Sequence, residues 1–289
     1  MPTVLITGTS RGIGRVVALH LARQGYHVFA SMRNPDTGAA PLTDAAGSEG
    51  LKLDVIQLDV DDSDSSERAV KEVVQKAGQI DVLINNAGIG GYEGAVEETP
   101  EGVLRAVFET NFFGAMRLIR LVLPGMRQRI SGAIVNLSSV GGRIALADMG
   151  AFAASKFALE AMSEVLAQEV RRFNIRVAII EPGLIDVPKP EEETWEPDSN
   201  SPYMEFTHRR IRIYAKALEN PTPPERVAET IRHALETDRP KLRYLVGEDA
   251  KTWVSARQRM TDEAWVDLGR EMTDEEFATS YRTYFGREI

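Results

Sequence analysis

LITGTSRGIGRVVALHLA, residues 5–22, runs from an apolar strand through a glycine-rich turn into a helix whose apolar positions recur near every third or fourth residue. Glycine permits a tight turn, lets a pyrophosphate approach the backbone and allows a helix to sit close against a sheet. The helix N-terminus adds unpaired N–H groups that favour a phosphate. Three glycines alone are a weak signal. Placed at the first strand-to-helix junction, Gly8, Ser10, Arg11, Gly12, Ile13 and Gly14 form a candidate phosphate-binding loop.

The same rhythm continues downstream. Short apolar runs at 3–6, 27–30, 53–58, 81–84, 133–138 and 175–181 alternate with helical patterns such as RVVALHLARQG, SSERAVKEVVQKAG and the long LRAVFETNFFGAMRLIRLVLPGMRQR. Strands nearly continuous in apolar residues, alternating with helices, argue for a parallel sheet covered on both faces. The expected fold is α/β: a Rossmann-like doubly wound parallel sheet with helices on both faces. Gly25 and Gly78 are the expected ends of the first helices. After Gly183 the rhythm breaks, because LIDVPKPEEETWEPDSNSPY (184–203) is rich in proline and charge. Residues 1–247 therefore read as a single dinucleotide-binding and catalytic domain. Within it, 184–220 is expected to be a substrate lid near the crevice beyond the strand ends, and 248–289 follows as a helical carboxyl-terminal extension.

Composition narrows the function. A chain of 289 residues with 43% hydrophobic content can fill its own core. The absence of cysteine removes disulfides, thiolate nucleophiles and cysteine-ligated metals, and the four scattered histidines form no ligand pattern, so no metal is expected. A net charge of -9 argues against a nucleic-acid partner. No stretch approaches the roughly 18 apolar residues of a spanning helix. The N-terminus shows no leader of the signal type, and a soluble, cytoplasmic protein is expected.

The end of the second strand bears on the cofactor. An acidic residue is expected there where a ribose diol is to be held, but the chain reads FASMRN. Arg33 stands at this point and Arg11 lies inside the glycine loop. A guanidinium grips a phosphate with charge-assisted bonds. This pattern points to NADP(H) rather than NAD.

At this level of detail the chain resembles the short-chain dehydrogenases/reductases over roughly residues 2–247. The resemblance rests on TGTSRGIG (7–14), LDV (58–60), NNAG (85–88), the asparagine of TNFFG (110–114), NLSS (136–139), ASK (154–156) and EPG (181–183). It implies that Asp59 and Val60 lie near the adenine, and that Asn86, Ala87 and Gly88 support the cofactor. By the same resemblance Pro182, Gly183 and Ile185 border the nicotinamide, and Lys156 serves both cofactor and chemistry. The family's catalytic group is an asparagine, a serine, a tyrosine and a lysine. Asn111, Ser139 and Lys156 match three of these, and Phe152 stands at the tyrosine position. Val187 replaces a threonine that many members direct at the carboxamide.

Phe152 is the decisive departure. A lysine four residues after a tyrosine shares its helix face and lowers a phenol pKa of about 10. A phenyl ring can neither give nor take a proton. Three readings stay open: a phenylalanine variant of an active parent, an enzyme with another donor such as Tyr92 or Tyr203, or a non-catalytic nucleotide-binding regulatory or scaffold protein. The favoured reading is an NADP(H)-dependent oxidoreductase that interconverts a secondary alcohol and a ketone, with proton transfer impaired or altered at Phe152.

Ile89, Tyr92, Ile144, Leu146, Met149, Leu184 and Met204 are candidates for an apolar substrate cleft. The section NPTPPERVAETIRHALETDRPKLRYLVGEDA resembles the carboxyl part of steroid- and retinol-type members, which implies a small apolar or mixed-polarity alcohol or ketone. Apolar surface on two long helices, at 99–128 and 151–172, suggests a homodimer or homotetramer.

Overall fold

A computed structural model of the protein describes residues 1–90, 94–188 and 199–286. Among these, the apolar runs become strands β1 (Thr3–Ile6), β2 (His27–Met32), β3 (Leu53–Gln57), β4 (Val82–Asn85), β5 (Gly132–Leu137), β6 (Ile175–Pro182) and β7 (Arg243–Val246). They form one parallel sheet in the order β3-β2-β1-β4-β5-β6-β7. The fold is a Rossmann-like, doubly wound α/β sheet.

Strand periodicity divides the core in two. Val4, Ile6, Val28 and Ala30 point to one face, where α1 (Gly12–Arg23) packs with Val17 and Leu21, and α9 (Pro224–Glu236) with Val227 and Ile231. Leu5, Phe29 and Leu83 point to the other, against Leu118, Val122 and Leu166. Burial on both faces explains why β1, β2 and β4 read as unbroken apolar runs. Chain direction across the sheet reverses between β1 and β4, and this opens a crevice at their carboxyl ends.

Several elements differ from the sequence expectation. Residues 99–128 form α5 (Glu101–Phe108), a π-helical turn (Glu109–Phe113) and α6 (Gly114–Arg129) rather than one regular helix. Helices α2 (Pro35–Gly38) and α3 (Ala40–Glu49) occupy a stretch that offered no apolar stripe, because only Leu42 and Ala46 are buried in it. α4 (Ser63–Ala77) ends at Gly78 with φ +82°, and the chain leaves α1 through Gly25 with φ +84°. α7 (Gly150–Val170) follows β5. The expected lid contains α8 (Met204–Ala217), whereas its residues 189–198 lie outside the described residues.

The carboxyl-terminal segment forms α10 (Glu248–Arg259), α11 (Asp262–Val266) and α12 (Asp274–Phe285), the last opened by a reciprocal capping box between Thr273 and Glu276. Trp253, Phe277, Tyr281 and Phe285 bury themselves with Ile144 and Ile213 in a third apolar cluster. The extension thus helps to wall the region beyond β5 and β6. No helix among the described residues is long and apolar enough to cross a membrane.

Candidate active site

The crevice at the switch point opens into a cleft of about 720 Å³. Of the residues expected to hold a cofactor, Gly8, Ser10, Arg11, Ile13, Gly14, Arg33, Asp59, Val60, Asn86, Ala87, Gly88, Lys156, Pro182, Gly183 and Ile185 all line it. Gly12 does not, although its φ of +58° shapes the same turn. Met32, Asn34, Thr37, Gly38 and Thr110 also line the cleft and were not foreseen. Most of these come from the β2–α2 junction, whose helix left no periodic mark in the sequence.

Two glycines show why the loop has no room for side chains. A Cβ on Gly14 would lie 2.3 Å from Gly8 O and 2.5 Å from Asn86 Nδ2. On Gly8, which has φ +69°, it would lie 2.9 Å from Ala87 Cα. The loop is held from the β4 side: Asn86 Nδ2 donates to Thr7 O (2.8 Å) and Gly8 O (3.0 Å), while Thr7 Oγ1 accepts from the Asn86 and Ala87 amides. Arg15 donates back to Ser10 O. The first turn of α1 contains no acidic side chain and Arg11 provides no side-chain cap, so the end that faces the cleft suits an anion. Arg11 and Arg33 are exposed where they line it.

Asn111 sits in the π turn and is buried. Its Oδ1 accepts from Ile89 N (2.8 Å), and its Nδ2 donates to Ile89 O (3.0 Å) and Ser155 Oγ (3.0 Å). A π turn re-aims one side chain inside a helix. Here it ties the chain just beyond Gly88 to α7. Lys156 is also buried and donates to Leu137 O (2.9 Å); burial lowers its pKa to about 8, with Glu160 opposing.

Phe152 and Ser139 are neighbours. A Cβ on Gly141 would lie 2.9 Å from Phe152 Cε1 and 3.6 Å from Ser139 Oγ, so the ring edge and the hydroxyl flank the same point. Lys156 Nζ stands 5.7 Å from the centre of the Phe152 ring. Ser139 is extended and its Oγ accepts from Gly141 N (3.1 Å), starting the short 3-10 turn Val140–Gly142. Ser139, Phe152 and Lys156 line the cleft, while Asn111 is not in its wall but stands near Lys156 beside Gly88, where a Cβ would lie 3.2 Å from Asn111 Oδ1 and 3.6 Å from Lys156 Nζ.

A second, apolar cavity of about 630 Å³ begins here. Ser139, Phe152, Gly183 and Val187 line both spaces. Of the expected substrate-side residues, Ile144, Leu146, Met149 and Leu184 are in its wall, whereas Ile89 lines the first cleft and Met204 lines neither. Tyr92 lies outside the described residues. Tyr203 lines neither cavity, and a hydrogen bond to Glu97 raises its pKa, so it is poorly placed and poorly tuned as a proton donor. Sequence reading missed Tyr214, which donates to Met149 Sδ (2.6 Å), and the carboxyl-terminal Trp253, Trp265, Tyr281 and Phe285.

Charges behind the serine are organised by β6. Buried Glu181 accepts from Arg143 Nη1 (2.9 Å) and lies 3.5 Å from Arg243 Nε. Arg243 in turn bonds Glu160 (2.9 Å) and Glu164 (2.7 Å). Burial and the neighbouring Glu181 push the Glu160 carboxyl up. Asp249 at the start of α10 accepts from Leu184 N (2.7 Å) and thereby fixes the chain after Gly183.

These features belong to the short-chain dehydrogenase family, whose model matches residues 2–197. Among known proteins the chain is 35% identical over 250 residues to the 3-ketodihydrosphingosine reductase of Bacteroides thetaiotaomicron, spanning 84% of this chain and 87% of that one. A short-chain dehydrogenase from Streptomyces avermitilis superposes with a TM-score of 0.81 at 35% identity, covering 93% of this chain and 94% of that structure. ElxO, solved with NADP bound, superposes with a TM-score of 0.72 at 25% identity over 85% of this chain and 96% of its own.

Proposed function

We propose that this chain is an NADP(H)-dependent oxidoreductase that interconverts a secondary alcohol and a ketone on an apolar body, with proton transfer altered by Phe152. The observation that carries this reading is the junction of a phosphate-suited cleft and an apolar cavity at Ser139 and Phe152. When bound, the nicotinamide cofactor supplies or accepts the hydride. The glycine loop and the α1 N-terminus receive its pyrophosphate, and Arg11 and Arg33 receive a 2'-phosphate. Lys156 reaches the inner part of the cleft, and Ser139 Oγ holds the substrate oxygen. Reduction of a ketone also requires a proton at that oxygen, which the ring of Phe152 cannot deliver.

The match to ElxO, whose structure holds NADP, agrees with the cofactor drawn from the arginines. The apolar wall, together with a relative named for a 3-keto compound, supports a ketone on a long or bulky apolar frame. The reading is tested by following NADPH oxidation over a panel of apolar ketones while measuring nucleotide binding separately. Tight NADP binding without turnover in either direction, by this chain and by Phe152→Tyr alike, would favour the second reading, a nucleotide-binding regulatory or scaffold protein; Phe152 is the observation on its side.

Cofactor choice has its own test. Arg33→Asp is expected to weaken NADP at least about tenfold more than NAD in calorimetric titrations, because it removes a charge-assisted phosphate contact worth about 1.5–3 kcal/mol. Parallel losses for both nucleotides would place the phosphate elsewhere.

Self-association is expected to use the outer faces of the π turn and α7. Phe113, Phe157, Met162 and Val165 are each 42–50% exposed there, an apolar area unusual for a free surface. Light scattering at micromolar concentration should give a dimer or tetramer mass, and Phe157→Glu with Val165→Glu should lower it. A monomer before substitution would end this proposal.

A further inference from the structure

The apolar cavity does not stop at the substrate centre. A smaller space of about 240 Å³ shares Leu146, Ile213, Trp265, Tyr281 and Phe285 with it, so the two have a common wall. Arg209 of α8 lines this smaller space. It is only 2% exposed, and a charged guanidinium at such depth requires acceptors. Its Nη2 has them: Glu205 and Met272 O, the latter at 2.7 Å. Nε and Nη1 are buried and have no hydrogen-bond partner among the described residues. Asp274 Oδ1 approaches Nε only to 3.8 Å, too long for a hydrogen bond.

Counting donors, Nε carries one N–H and Nη1 two, so three of the five guanidinium N–H groups have no acceptor among the described residues. The ring of Phe277, 4.6 Å from Cζ, covers a face of the guanidinium but cannot replace in-plane acceptors. Glu205 and Asp274 are 47% and 65% exposed in their side chains, so water weakens their hold while Arg209 itself is shielded. The result is a buried cation with spare donors, beside a space whose one other charged lining residue is Arg210.

We infer that this is a distal subsite for the carboxylate of an elongated substrate. On the oxidoreductase reading, on which this inference rests, the reacting carbonyl or carbinol sits at Ser139 and an apolar chain follows the cavity past Trp265 and Phe285. The chain ends in a carboxylate that accepts from Arg209 Nε or Nη1. The ligand class is an oxo or hydroxy carboxylic acid with a long apolar spacer, a narrower class than apolar ketones in general.

The test uses the whole protein and needs no turnover. Trp253 and Trp265 are both in the cavity wall, so their fluorescence reports binding. Titrations with an oxododecanoate, its methyl ester and the corresponding dodecanone should show the acid binding on the order of tenfold tighter than either neutral compound, as expected for a hydrogen bond to a charged group. Arg209→Met should remove the advantage of the acid over the ester. Arg209→Lys, which keeps the charge in a different shape, should keep part of it and guards against a folding defect in the first variant. Equal affinity for acid and ester before substitution, or an acid preference that survives Arg209→Met, would overturn the subsite. An acid preference dependent on Arg209, found where neither this chain nor Phe152→Tyr oxidises NADPH with any ketone, would leave the subsite standing and remove the oxidoreductase reading instead.

Discussion

Phe152→Tyr is expected to raise turnover of apolar ketones by about 10²-fold or more while leaving NADP affinity nearly unchanged. The expected size is that of a positioned general acid, about 10²- to 10⁴-fold. Three observations place the new hydroxyl where it can act: the ring lies beside Ser139, it lines both the cleft and the cavity, and Lys156 Nζ is 5.7 Å from its centre. A nearby ammonium favours phenolate, so the tyrosine would titrate below the ordinary phenol. Lys156→Met in the tyrosine background should then cancel much of the gain. The effect belongs in kcat, since the hydroxyl is needed only as the proton moves. If the chain as it stands already turns over rapidly and the tyrosine adds nothing, another group carries the proton, and Tyr214 in the cavity wall becomes the first phenol to substitute.

How much of this was legible depended on the range over which each signal acts. The glycine loop could be read because turn, strand and helix lie within about twenty consecutive residues, and the cleft does gather nearly all of the residues named from it. The four-residue step from Phe152 to Lys156 is equally local. What escaped was assembled from distant parts of the chain. Asn111 could be named, yet the π turn that aims it left no mark, because the apolar spacing within 99–128 reads as that of one long helix. Helices α2 and α3 bury only two side chains, too few for a period to show. The aromatic wall was illegible for another reason. Trp253, Trp265, Tyr281 and Phe285 read as a helical tail, and only tertiary packing against Ile144 and Ile213 turns them into part of the apolar cavity.

Glu181 illustrates the same limit and leads to the second large effect. In sequence it was merely the first letter of EPG, but in the fold it is fully buried between Arg143 and Arg243, both distant along the chain. Glu181→Ala would remove the carboxylate to which Arg143 donates and leave Arg243 with buried Glu160 and exposed Glu164. Breaking a buried pair costs about 3–5 kcal/mol. Both arginine side chains are nearly 30% exposed, so water recovers part of the charge and the lower end, about 3 kcal/mol, is expected. In a domain of this size that corresponds to a fall in Tm on the order of 6–10 °C. Glu181→Gln keeps an acceptor for Arg143 and should lose less. Because Arg143 closes the 3-10 turn that begins at Ser139, the alanine variant should also lower kcat in the Phe152→Tyr background. A melting temperature within about 2 °C of the parent, with kcat unmoved, would mean that the arginines find water as good a partner as Glu181, and that Ser139 is held by its own bond to Gly141 N alone.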